Sequence, residues 1–138
     1  LIGVGIIASP FVWKPVLARF TSGMPLALAC AVTAAATLVP VFFPSLLGLL
    51  MSGLCFGLAV FIGPSAVTSF GRKNLPQALW GKSVSLFTLI FAIGQTVGPV
   101  AAGKIGDASG TLSTGLLCSG AILLLAAFLA ALQRPLDW

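Results

Sequence analysis

The sequence predicts an all-α, polytopic membrane protein, a helical bundle with about five transmembrane helices, one of them truncated. Three observations carry this. Of 138 residues, 59% are hydrophobic and only 7% are charged, whereas a soluble domain carries about 25% charged residues. That inventory cannot cover a water-facing surface, and high hydrophobicity with little charge is the reverse of what disorder requires. The charges are also separated by long uncharged runs. Those runs are continuously apolar, whereas barrel strands would alternate over about ten residues.

The elements follow from the spacing of the charges. Leu1 to Trp13 is uncharged, and the chain starts inside this apolar run without a Met. A secretory signal would need a basic stretch first, so we read a truncated first helix, near 1–16, of a longer protein. No charge lies between Arg19 and Arg72. A span needs about 20 residues at roughly 1.5 Å each, so this stretch holds two spans and a turn. Pro40 and Pro44 mark the turn, because two prolines so close do not continue one helix comfortably. The two spans are expected near 24–39 and 45–67. Two further uncharged runs give spans near 83–103 and 108–133. No length remains for a separate soluble domain.

Orientation follows from the basic residues. Lys14 and Arg19 fall in the first loop, Arg72, Lys73 and Lys82 in the third, and Arg134 with Asp137 in the tail. The second loop is uncharged, and the fourth holds Lys104 and Asp107. The positive-inside rule places the first loop, the third loop and the tail in the cytoplasm. Trp13 and Trp80 then fall at cytoplasmic boundaries, where an indole is favoured.

Several chemistries are excluded. There is no His, so a Ser-His pair is impossible. The two acids are both in loops, which removes a metal-dependent lipid-synthesising site and a membrane-embedded proton carrier. Neither an enzyme nor a cofactor is expected. Cys30, Cys55 and Cys118 match no metal spacing and read as small packing residues. The scattered cations do not make a nucleic-acid surface. Gly53 and Gly57, and Gly94 and Gly98, form GxxxG pairs that let helix backbones approach closely. Pro10, Pro64 and Pro99 are expected to kink or loosen their spans.

The span near 83–103 is the most informative. Ser85, Thr88, Ala92, Gln95 and Pro99 are spaced 3, 4, 3 and 4 apart and form one polar or small stripe. Such a stripe facing lipid would cost free energy, so it faces protein or water. Gln95 either bonds a neighbouring helix or lines a substrate cavity. Gln95, Thr88, Phe91 and Ser85 are the cavity candidates.

The run Arg72-Lys73-Asn74-Leu75-Pro76, then Trp80-Gly81, then Phe91 through Pro99, ending in Gly103 and Asp107, resembles the late helices of major facilitator superfamily transporters. It looks most like the bacterial YbfB/YjiJ-type branch. Trp13 to Arg19 resembles the short basic loop between the second and third helices of a six-helix half, with Ala18 where an Asp is expected. The resemblance implies twelve helices in two halves, of which these are the eighth to the twelfth. It implies a multi-pass protein of the bacterial inner membrane, moving an unknown small-molecule substrate by alternating access. Its partners would be the lipid bilayer and the missing N-terminal helices of the same chain. It also implies that the helices near 24–39 and 108–133 are a lipid-facing scaffold. A small multi-span structural or subunit protein without transport activity is the alternative, and a channel a third reading.

Overall fold

A computed structural model describes residues 1–134. They form α1 Ile2–Arg19, α2 Met24–Phe42, α3 Leu46–Val60, α4 Ile62–Asn74, α5 Trp80–Ser109 and α6 Leu112–Ala131, with a 3-10 turn Gln77–Leu79 before α5. No strand occurs among the described residues. α3 and α4 are separated only by Phe61 and make one rod, so five rods are long and apolar enough to cross a membrane. Asp137 lies outside the described residues.

The turn after α2 comes later than the prolines suggested. The helix runs through Pro40 to Phe42, and the reversal is made by Phe43, Pro44 and Ser45. Pro40 has no N–H to offer the carbonyl four residues back, that of Ala36. The Ser52 hydroxyl, on α3, donates to that carbonyl at 2.6 Å, so the proline is tolerated and α2 is tied to α3. Ser45 then caps α3 by accepting from the Gly48 N–H at 3.1 Å. We expect Ser52→Ala to destabilise the fold by about 1–2 kcal/mol, because the buried Ala36 carbonyl loses its donor. Pro40→Ala in the same chain should restore part of the loss by returning a helical N–H. Melting in detergent checks both, and an unchanged melting point in Ser52→Ala would contradict this role.

The rod of α3 and α4 breaks because Pro64 cannot donate to the Val60 carbonyl. The Phe61 N–H turns back to the Ala59 carbonyl, and the Leu58 carbonyl receives the Trp13 indole N–H at 2.8 Å. α5 continues helically past Lys104 and Asp107, which therefore lie on the helix and not in a loop. It ends at Gly110, whose φ of 69° is left-handed and whose N–H bonds the Asp107 carbonyl. Lys82 and Lys104 are about 33 Å apart along this helix, close to one hydrocarbon thickness of about 30 Å.

Packing places α2 between α3 and α6, α1 on α3, and α5 at the edge against α4 and α6. Eight of the ten buried apolar residues are alanines. Small side chains suit a bilayer, where backbone proximity rather than the hydrophobic effect drives helix association. α2 is the most enclosed helix, burying Ala27, Ala29, Thr33, Ala34 and Ala36 among others. Its alanines seat it between two neighbours, which differs from the lipid-facing scaffold expected of it. α6 keeps an exposed apolar flank that includes Ile122, Leu125 and Phe128.

The basic residues other than Lys104 gather at one end. The Lys73 ammonium donates to the carbonyls of Leu17 at 2.6 Å and Phe20 at 2.9 Å. The Asn74 amide donates to the Thr21 carbonyl at 2.9 Å. The Gly23 N–H donates to the Gln133 carbonyl at 3.2 Å. The ends of α1, α4 and α6 thus share one face of the bundle, opposite the Gly110 turn.

Candidate functional site

α1, a continuous helix that carries two prolines, lies against the interrupted α3–α4 rod. In α1, Pro10 and Pro15 both lie inside the helix, and Pro10 leaves the Ile6 carbonyl without its helical donor. Facing it is the Phe61 break, about midway along the α3–α4 rod. Between them lies an open groove of about 450 Å³ whose apolar walls are Ile6, Pro10, Leu17, Phe61 and Ile62, with Pro10 and Phe61 exposed. Its polar groups are Ser9, Ser65 and Lys14. This volume is within the range of roughly 300–1,000 Å³ typical of small-molecule sites. A second cavity at the basic end, beside Ser22, Phe70 and Gln133, holds only about 120 Å³.

The sequence reading did not anticipate this site. Lys14 was expected in the first loop and Trp13 at the membrane boundary. The structure corrects the loop assignment of Lys14. α1 stays helical to Arg19, because proline φ is compatible with a helix and only one donor is lost at Pro15. Lys14 therefore stands on the helix, within the span. Trp13 is buried against Ala29, Ala59 and Ile62, its indole satisfied by the Leu58 carbonyl. The usable signal was the pair of spans carrying internal Gly and Pro, which in transporters points to the binding site.

The expected cavity residues sit elsewhere. Ser85, Thr88, Phe91 and Gln95 all lie on α5 and all are exposed, and no residue of α5 is buried. The Thr88 hydroxyl bonds the Val84 carbonyl of its own helix at 2.8 Å. Pro99 leaves the Gln95 carbonyl without a helical donor, so that carbonyl and the Gln95 amide make a polar node on an uncovered face. The structure does not bring these four residues to the groove between α1 and α4.

The glycines divide in the same way. A Cβ on Gly57 would strike the Ile2 backbone carbonyl, and one on Gly53 would meet only the Ile2 side chain at 3.5 Å. Gly94 and Gly98 have nothing within 4 Å of such a Cβ. Close backbone approaches are instead made at Gly5 against Leu54, Gly23 against Ala130 and Gly115 against Ala102. None of these three belongs to a GxxxG pair singled out in the sequence. Of the basic residues assigned to loops, Arg19, Arg72 and Lys73 stand in the last turns of α1 and α4, where a cation complements the helix dipole. Arg72 also lies 5.8 Å from the Trp80 ring centre, and the Trp80 indole donates to the Leu75 carbonyl at 2.9 Å. Cys30, Cys55 and Cys118 are free thiols.

Five rods long and apolar enough to span a bilayer, packed through small residues, define an integral, multi-pass helical membrane protein. Residues 1–131 match the family described as "Uncharacterised MFS-type transporter YbfB", and the chain belongs to that family. It is therefore a protein of a transporter family rather than of an enzyme family. No curated protein and no solved structure matches the chain.

Proposed function

We propose that this chain is the C-terminal part, the eighth to twelfth helices, of a secondary active transporter. It moves a small solute across the bacterial inner membrane by alternating access. The observation that carries the reading is the family match over residues 1–131, and the open groove between α1 and the break in the α3–α4 rod accords with it. Discontinuous helices near the midplane are where such transporters hold their substrates. The gathering of basic ends on one face supports a cytoplasmic position for the first loop, the third loop and the tail. The exposed stripe of α5 supports a second cavity wall, with Gln95, Thr88, Phe91 and Ser85 turned toward the helices of the other half.

A transport assay tests this. Proteoliposomes holding the complete transporter should take up a solute saturably from a panel of radiolabelled metabolites. Gln95→Leu should lower that uptake about tenfold, while stability changes by only the roughly 0.6 kcal/mol of a membrane hydrogen bond. Lost stability with unchanged transport per folded molecule would make Gln95 a packing residue and remove α5 from the cavity wall.

A further inference from the structure

We infer that Lys73 is a positioning residue for α1: its ammonium latches the end of α1 to the end of α4, and its release lets α4 swing about the break at Phe61. The inference rests on the transporter reading for its consequence, a change of width in the groove between the two helices.

The end of α1 is the first observation. The last carbonyls of a helix have no donor within it, and many helices supply one through a left-handed glycine after the last turn. α1 has no such glycine. Phe20 follows it in an extended conformation, with φ −103° and ψ 136°, and among the described residues only Gly110 has a positive φ. The Phe20 N–H reaches the Val16 carbonyl at 3.3 Å. The donors for carbonyls further along come from another helix. The Lys73 ammonium donates to Leu17 at 2.6 Å, Ala18 at 3.4 Å and Phe20 at 2.9 Å. The Asn74 amide donates to Thr21 at 2.9 Å and, on its own helix, to Phe70 at 3.0 Å. A cation in the last turn of α4 therefore caps α1 at the negative end of its dipole.

The way α1 meets the broken rod is the second observation. Against α3 it is locked through backbone: a Cβ on Gly57 would strike the Ile2 carbonyl, and one on Gly5 the Leu54 carbonyl. The Trp13 indole adds its bond to Leu58. Against α4 it borders the open groove lined by Leu17, Ile62 and Ser65, and Lys73 and Asn74 tie the two helices at the basic end. The hinge lies between these two attachments. Phe61 separates α3 from α4, Pro64 withholds the N–H that would bridge the break, and bending concentrates where such bonds are missing. Lys73 is exposed, so water can replace its bonds and the latch is reversible. Leu17 offers its carbonyl to the latch and also lines the groove, which couples the two.

Distances between spin labels test this in the complete transporter, reconstituted in liposomes, with Cys30, Cys55 and Cys118 replaced by alanine. Ala18→Cys with Gln77→Cys reads the latched ends, and Val4→Cys with Met51→Cys reads the α1–α3 contact. All four positions are exposed. Lys73→Met keeps an aliphatic stem and removes the charge. We expect it to raise the population of a second, longer distance between the latched ends about tenfold, equivalent to about 1.4 kcal/mol, and to leave the α1–α3 distance unchanged. Lys73→Arg should keep the single short distance. Lys73→Gln should give a smaller rise in the same direction, and it replaces Lys73→Met if that variant does not fold. An unchanged distance between the latched ends in the folded neutral variant would overturn the inference. Equal broadening of both pairs would overturn it too, since Lys73 would then support packing at large. Absence of uptake by a protein that shows the expected distances would count against the transport reading and leave the latch standing.

Discussion

Trp13→Ala should cost the fold about 3 kcal/mol, with loss of most correctly folded protein on solubilisation. Removing a buried Trp typically costs about 3–5 kcal/mol in water-soluble cores. In a bilayer the transfer part of that cost is absent, since lipid is as apolar as the side chain, so the low end applies. What remains is the cavity among Ala29, Ala59 and Ile62, together with the loss of the indole donor to the Leu58 carbonyl. Trp13→Phe should separate the two parts. It keeps most of the volume and loses the 2.8 Å hydrogen bond, for about 0.5–1.5 kcal/mol. Melting of the detergent-solubilised protein reads both. Equal, small effects would show that Trp13 is not the wedge between α1 and α3.

Gly57→Leu should disrupt the same interface from the other helix. A Cβ there meets the backbone carbonyl of Ile2, with the Ile2 carbonyl carbon 3.0 Å away, and backbone cannot rotate aside. Sliding α1 along α3 offers no escape, because a Cβ on Gly5 would lie 2.5 Å from the Leu54 carbonyl oxygen and 2.9 Å from the Leu58 nitrogen. Overpacking of this kind costs about 1–3 kcal/mol. Gly57→Ala should already lower the melting point, and Gly53→Ala should hardly change it, since its new methyl meets a movable side chain at 3.5 Å. Equal tolerance at both positions would mean that α1 and α3 are not locked at this crossing.

The five rods were legible because each requirement is local. A continuous apolar run bounded by charges is a span whatever surrounds it. The helix ends were less legible. Pro40 looked like a terminator because its lost donor shows in the sequence, whereas the replacement hydroxyl of Ser52 comes from another helix. Lys14 and Pro15 looked like a loop for the same reason. The groove was missed because it belongs to two segments about fifty residues apart, and Pro10 and Pro64 gain meaning only once α1 is laid against the α3–α4 rod. The Gln95 stripe was visible from its spacing alone. What it faces depends on helices beyond α1 to α6, and spacing within one helix cannot supply that.

Under the proposed function, the groove between α1 and the broken α3–α4 rod opens alternately to the two sides of the membrane. Sided labelling of a single cysteine at Ser65 tests it most directly, using a membrane-impermeant maleimide on right-side-out and inside-out vesicles of the complete protein. Gln77→Cys, in the turn before α5, and Ser109→Cys, at the far end of α5, mark the two faces and should each react from one side only, and from opposite sides. Ser65→Cys should react from both sides. Reaction from one side only, or from neither, while the two markers behave as expected, would contradict alternating access at this groove.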